Sequence, residues 1–384
     1  MQTRLQLLHE WTRHLQSLLP GVRVTRVRVL ALLSLGMLWA ESIHLGRIAQ
    51  ALPLTVQDLS TERRLRRWLA NRQMPVVGTW QPLLGALLAR HGNRDLVLVF
   101  DPTPVTDRYT LLVLSLVVHR RSLPVAWHVV PGTEAWRHDT WSYLRRLCQR
   151  VDRALPPGAC VTLVVDRGLA SVAIIDLCQR LGWHYVMRLS VDARQGMHVR
   201  VISAADGRDD GDRDRPSIPA WELVPGKGKR WTGTVEAFGR HGWRRAELTI
   251  VWPRRYAQPW LLLSDRAAGP DRVAEYRCRT HVEATYADTK TRGFDLEASR
   301  ITDRNRLNRL MLALVLALWW AHLLGQRVIR SGIRRQFDRP NRRDLSLLRL
   351  GKRWMRWLLD HDHLPPLPFR YHVHDACLRC RWAF

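Results

Sequence analysis

The chain has 384 residues, with 61 lysines and arginines against 34 acidic residues, a formal charge of +27 spread along its length. That length requires two or three structural units, and six cysteines are too sparse for a disulfide-stapled scaffold. No signal peptide opens the sequence, so a reducing cytoplasmic compartment is expected. So basic a field favours a polyanionic partner, most often double-stranded DNA or RNA; a ribosome-like or membrane-surface protein is the other class it fits.

Residues 1–92 read as a helical region. The apolar run Val29 to Ala40, like a second one from Leu310 to Leu324, falls short of the ~18 to 20 residues a membrane span needs, and the second contains His322. Both are expected as buried helices, with no membrane partner. Ser42 to Leu52 is amphipathic and ends at Pro53, after which Thr55 and Asp58 form a weak capping box opening the next helix. That helix carries Arg63, Arg64 and Arg67, and the pair has the pattern of a helix-turn-helix that enters a DNA groove; an ordinary bundle pair has the same pattern.

From residue 93 to 195 the period becomes strand-like. Leu96 to Phe100 is a short apolar run ending at Asp101, and Tyr109 to Arg120 and Leu123 to Val130 are two further strands joined by a tight basic turn. A helix over His138 to Leu155 precedes the buried strand Cys160 to Val165, which also ends in an aspartate, Asp166. A helix (Leu169 to Leu181) and a strand (Trp183 to Leu189) complete a β-β-β-α-β-α-β order, a mixed α/β sheet. Residues 196–263 break that order with a charged loop, Ala204 to Pro216, and alternating strands, which together make a β-rich insertion. Residues 264–330 return to helices. The stretch 331–384 is a basic tail in which Trp354 and Trp357 interleave with cations, suited to tracking phosphates or to lying solvated.

The segment Tyr276 to Lys290 carries the chemistry. On one continuous helix at ~100° per residue, Tyr276, Arg279, Glu283 and Lys290 share an arc of about 60°, with Lys290 about 21 Å along the axis from Tyr276. A carboxylate flanked by a phenol and two cations suits a hard divalent metal and a phosphate-bearing substrate. A solvated face held by charge pairs is the plainer alternative. Asp101 and Asp166, at the ends of apolar strands, are the natural partners of Glu283. Three carboxylates converging there would hold two cations about 3.5–4 Å apart for in-line phosphoryl transfer.

The spacing Tyr276-x2-Arg279-x3-Glu283-x6-Lys290 resembles the signature of the bacterial insertion-sequence DDE transposases of the Tyr-Arg-Glu-Lys type, the "IS-four" superfamily. Phe100-Asp101-Pro-Thr103, Val165-Asp166-Arg167-Gly168 and Gly293-Phe-Asp-Leu-Glu297 resemble it too, over at least residues 95–325. The resemblance implies a ribonuclease-H-like core carrying the insertion and preceded by a helical DNA-binding region. It implies Asp101, Asp166 and Glu283 as ligands of Mg2+, with Mn2+ a possible substitute. It also implies Tyr276, Arg279, Lys290 and Arg188 as contacts to DNA phosphates. Trp260 resembles the tryptophan that stacks on a flipped base in hairpin-forming relatives; its alternative is a strand tryptophan facing the insertion's own core. The partners implied are element ends and target DNA, with a homodimer in the synapse and a nucleoid location. An inactive regulator of transposition and a resolvase-like nuclease are the competing functions. Outside the family pattern, His372, His374, Cys377 and Cys380 are chemically adequate for zinc, but their crowding at the terminus favours a packed or disordered tail.

Overall fold

The computed structural model describes residues 1–89, 95–106, 108–119, 121–132, 139–191, 196–202, 216–289, 293–339 and 343–369. Lys290, the His372–Cys380 group and most of the charged loop 204–216 lie outside the described residues.

Among the described residues five α-helices come first: α1 (Gln2–Leu18), α2 (Val24–Ala40), α3 (Leu45–Ala51), α4 (Asp58–Ala70) and α5 (Val76–Leu88). α2 is apolar on all sides and buried from Val29 to Leu38, as a core helix must be. α3 and α4 pack on each other, but the Thr55 cap does not form. The residue before α4 is Gln57, which supplies no side-chain cap, and Asp58 in the first turn complements the helix dipole instead.

The strands are β1 (Asp95–Thr106), β2 (Tyr109–Val118), β3 (Arg121–Pro131), β4 (Cys160–Val165), β5 (His184–Arg188), β6 (His198–Ile202), β7 (Ile218–Pro219), β8 (Arg230–Ala237), β9 (Arg244–Val251) and β10 (Trp260–Ser264). They form one sheet in the order β3-β2-β1-β4-β5-β10-β9-β8-β6-β7. β1 to β3 make an antiparallel meander, while β4 and β5 join β1 in parallel, the mixed arrangement of a ribonuclease-H-like α/β core. The strands of the insertion build no separate layer. β10 pairs antiparallel with β5 and carries β9, β8, β6 and β7 outward, so the insertion lengthens the main sheet.

Between and after the strands lie α6 (Thr140–Asp152), α7 (Val172–Leu181), α8 (Pro270–Arg277), α9 (Thr280–Thr289), α10 (Arg304–Arg330) and α11 (Leu347–Asp360). At 27 residues α10 is longer than its apolar run suggested, and by length and hydropathy it is sufficient to cross a membrane. Yet 89% of its apolar window is buried inside the protein, against α2, β3 and α11. Buried Arg309 on α10 donates to the carbonyls of Leu69 (2.9 Å) and Met74 (3.2 Å), which ties α10 to the end of α4.

The stretch beyond residue 330, expected as a basic tail, is packed as far as it is described: α11 buries Leu347, Leu348, Leu350, Trp354 and Met355, it packs on α10, and Lys352 and Arg356 pair with Glu41 at the end of α2. One expectation is corrected here: the segment that begins at Tyr276 is not one helix. The chain breaks at Cys278–Arg279, where Cys278, Arg279, His281 and Val282 each donate a backbone bond three residues back, a tight turn between α8 and α9. The 100° spacing and the 21 Å separation, which hold for a continuous helix, do not apply across it.

Candidate active site

Strand alternation builds the site. Val97 and Val99 on β1, Val164 on β4, Val186 on β5 and Leu262 on β10 all pack on one face of the sheet, beneath Val273, Tyr276 and Val282 of α8 and α9. Two residues further along, Asp101, Asp166 and Arg188 keep that parity and leave the same face. Because Val99 faces Val164 and Val164 faces Val186 in the pairing, the three form a row across adjacent strands.

Asp101 does not end its strand, as its apolar run suggested. β1 loses β4 after Val99 but stays paired with β2 as far as Thr106. The aspartate therefore sits where the parallel neighbour stops, a gap in the sheet open to a ligand from one side.

Arg279, in the turn between α8 and α9, gathers the acids. Its guanidinium lies 3.1 Å from Asp166, 3.7 Å from Asp101 and 3.5 Å from Glu283. Asp101 and Asp166 are largely enclosed, whereas the Glu283 side chain is 70% exposed and leans in from the first turn of α9. Burial, with added repulsion from Asp166 and Glu283, pushes the Asp101 carboxyl up to about 6 even though Arg279 pulls it down. Burial also acts on Asp166, but the Arg167 amide, the Tyr276 hydroxyl, Arg279 and Arg188 together outweigh it and hold that carboxyl below its ordinary value. One acid is thus ready to bind a proton and its neighbour is fixed as the anion.

Tyr276 anchors the anion, donating its hydroxyl to Asp166 Oδ1 at 2.8 Å. Burial first, and then the Asp166 charge, push its own phenol up to about 12, so it stays a donor. Trp260 meets the Tyr276 ring edge-on at 5.3 Å, and the Arg188 guanidinium lies 5.9 Å from that ring's centre. Together Arg188, Trp260, Tyr276 and Arg279 line an open pocket of about 420 Å3. Trp260 therefore faces this pocket rather than the core on the opposite face of the insertion strands.

Residues 94–320 match the transposase DDE domain family. The chain belongs to the DDE transposases. It is a DNA transposase with the features of the "IS-four" superfamily, an enzyme that works on DNA with divalent metal ions. A cryo-EM structure of the piggyBac transposase synaptic complex with hairpin DNA is similar at 13% identity and a TM-score of 0.40, over 90% of this chain and 78% of that one. No curated protein sequence matches the chain.

The acidic set of this transposase suits a hard divalent cation. Three oxygen-donor side chains surround one guanidinium, which stands where positive charge is wanted among them. Among the described residues no three acids yet stand close enough to share an ion, and the exposed Glu283 has the freedom to close the set.

Arg63 and Arg67 are exposed on α4 and Arg64 is half-buried, remote in sequence from the acids. Burial, then Arg28 and Arg67, lower the Arg64 pKa, the mark of cations crowded together. Sequence reasoning missed Tyr256, whose ring lies 5.4 Å from Trp260 and lines the same pocket. Its only signal was a tyrosine after two arginines in the loop before β10. Arg279, expected at a DNA phosphate, lies among the three acids, a contact that its spacing in the sequence did not show.

Replacing Tyr276 with phenylalanine keeps the ring against Trp260 and removes the bond to Asp166. Calorimetric titration with Mn2+ is expected to show affinity falling about 10- to 100-fold, as for other groups that orient a metal ligand. Unchanged affinity would remove Tyr276 from that role.

Proposed function

We propose that this transposase serves a bacterial insertion sequence of the Tyr-Arg-Glu-Lys type. It binds the terminal inverted repeats, hydrolyses a phosphodiester to free a 3′-OH, and directs that hydroxyl onto target DNA. The observation that carries this reading is the convergence of Asp101, Asp166 and Glu283 on Arg279, from two neighbouring strands and a covering helix.

In this reading Asp101, Asp166 and Glu283 hold Mg2+, with Mn2+ an accepted substitute. The metal supplies a stronger oxygen nucleophile and stabilises the leaving oxygen. Tyr276 keeps Asp166 ionised and oriented. Once the acids have another counter-charge, Arg279 is released to a DNA phosphate, beside Arg188. Lys290 extends the same contact along the backbone. Arg63, Arg64 and Arg67 of α4 grip the repeat, and the crowding of Arg64 with Arg28 and Arg67 supports an anion there. Trp260 offers its face to a base extruded at the cut, where stacking offsets the cost of unpairing. Two chains acting on two ends form a homodimeric synapse at the nucleoid.

The test uses labelled element-end duplex and Mg2+. The native chain is expected to nick at the element boundary, and the Glu283→Ala variant to lose that nicking while binding the same duplex. Absence of nicking by the native chain, or equal nicking by both, overturns the reading.

A further inference from the structure

Next to the catalytic pocket lies a groove of about 950 Å3, more than twice its volume, which the functions above leave unused. Its base is apolar, formed by Val251 of β9, Trp252 just after it, and Val273 and Ala274 of α8. Its rim is cationic: Lys229 and Arg230 at the start of β8, Arg254 and Arg255 in the loop after β9, and Arg277 of α8. Among the described residues Asp271 is the one acid lining it, and none of the five cations is held in an ion pair.

The walls are fixed in place. Gly228 donates its N–H to the Trp252 carbonyl at 2.6 Å, and Trp252 donates back to Lys229 at 3.1 Å. Gly228 takes a positive φ of 81°, and a Cβ there would come 3.2 Å from Arg254 Nε, so glycine lets that arginine lie over the turn. On the other wall Gly269, just before α8, donates to Thr249 Oγ1 at 2.9 Å. The groove and the catalytic pocket share one loop: Pro253 to Arg255 line the first and Tyr256 to Gln258 the second.

We propose that this groove binds an unpaired DNA strand on its way from the cut, with bases against the apolar base and phosphates along the rim. A duplex turns its bases inward and would leave the partly exposed Val251, Trp252 and Ala274 uncovered, whereas a single strand uses both surfaces. The direction of the strand rests on the reading of Asp101, Asp166 and Glu283 as the cutting site; the groove's preference for unpaired DNA does not.

Fluorescence anisotropy on the full chain without metal tests it, using a roughly twelve-nucleotide oligothymidine and a duplex of equal length at one salt concentration. The Arg230→Ser/Arg254→Ser double variant is expected to bind the oligothymidine about tenfold more weakly and the duplex no more than about twofold. A control that removes two exposed cations elsewhere, Arg145→Ser/Arg180→Ser, is expected to keep the native ratio. Equal weakening toward both probes, unaffected oligothymidine binding, or the same selectivity change in the control overturns the proposal. Irradiation with an oligonucleotide carrying 5-iododeoxyuridine supplies a readout on the native chain: cross-links at Trp252 are expected, and cross-links confined to other segments overturn it. Neither readout requires cutting, so a chain that fails to nick but keeps this selectivity loses the catalytic reading alone.

Discussion

The Asp101→Asn variant is expected to lose element-end nicking by about 1,000-fold or more at saturating Mg2+. Asp101 is one of two acids anchored on the sheet, and an amide donates where a cation needs an anionic oxygen. Several kcal/mol of charge stabilisation rest on such a ligand, at a factor of ten for each 1.36 kcal/mol. Single-turnover nicking of a labelled end measures it; a variant within tenfold of the native rate would exclude Asp101 as a ligand.

The same substitution is expected to make the metal-free protein more stable at pH 7. The Asp101 carboxyl is held up at about 6, against 3.8 in its ordinary state, so between those values the folded chain carries more protons than the unfolded one. Stability then falls as pH rises through that window, and at pH 7 the charged Asp101 costs no more than about 3 kcal/mol, less whatever solvent screening removes. Asparagine carries no such cost, so denaturant midpoints of native and variant should diverge as pH rises from 4 to 7. Nicking by the native chain has the opposite sign. A proton on Asp101 competes with the cation, so at subsaturating Mg2+ nicking should fall as pH drops, and added Mg2+ should move that fall to lower pH. Loss of function with gain of stability is what distinguishes an acid placed for chemistry from one placed for structure.

The chemistry was more legible than the geometry that serves it. Apolar runs ending in Asp101 and Asp166 marked the strands, because a charge ends a buried segment whichever partner the strand takes. They did not show that β1 continues beyond Asp101, since that depends on β2 running past it to Thr106. The helix face of Tyr276, Arg279 and Glu283 grouped residues that do lie together, but not by the continuous helix it assumed. They meet because a turn at Cys278–Arg279 swings the guanidinium over the sheet, and no periodicity in one segment reports a break that tertiary contacts impose. The pairing of β10 with β5 is likewise a long-range choice, so the insertion read as a unit in sequence while its strands extend the main sheet. Beyond residue 330 the abundant arginine stood out in the sequence, and the apolar stripe by which α11 packs on α10 was not read.

That stripe leads to the second large expected effect, at Gly351. α10 and α11 approach so closely that a Cβ on Gly351 would lie 1.8 Å from the Ala321 carbonyl oxygen, and one on Gly325 would lie 2.1 Å from the carbonyl oxygen of Leu347. Both obstacles are backbone, so no side chain can turn aside. Either the helices separate or α11 leaves. Separation would open the packing of Leu348, Leu350 and Met355 and pull Lys352 from Glu41. It would also disturb α10, whose Trp319 donates to the Pro124 carbonyl on β3 at 2.9 Å. Gly351→Ala is therefore expected to destabilise the chain by about 3 kcal/mol or more, at the upper end of overpacking costs. Gly85→Ala has the opposite expectation. Gly85 lies inside α5, and a methyl group added there would meet nothing within 4 Å, so alanine should stabilise by about 0.5–1 kcal/mol through helix propensity and lower unfolded-state entropy. Denaturant melts of the two variants beside the native chain decide the matter. A Gly351→Ala midpoint equal to the native one would mean that α11 is not held against α10.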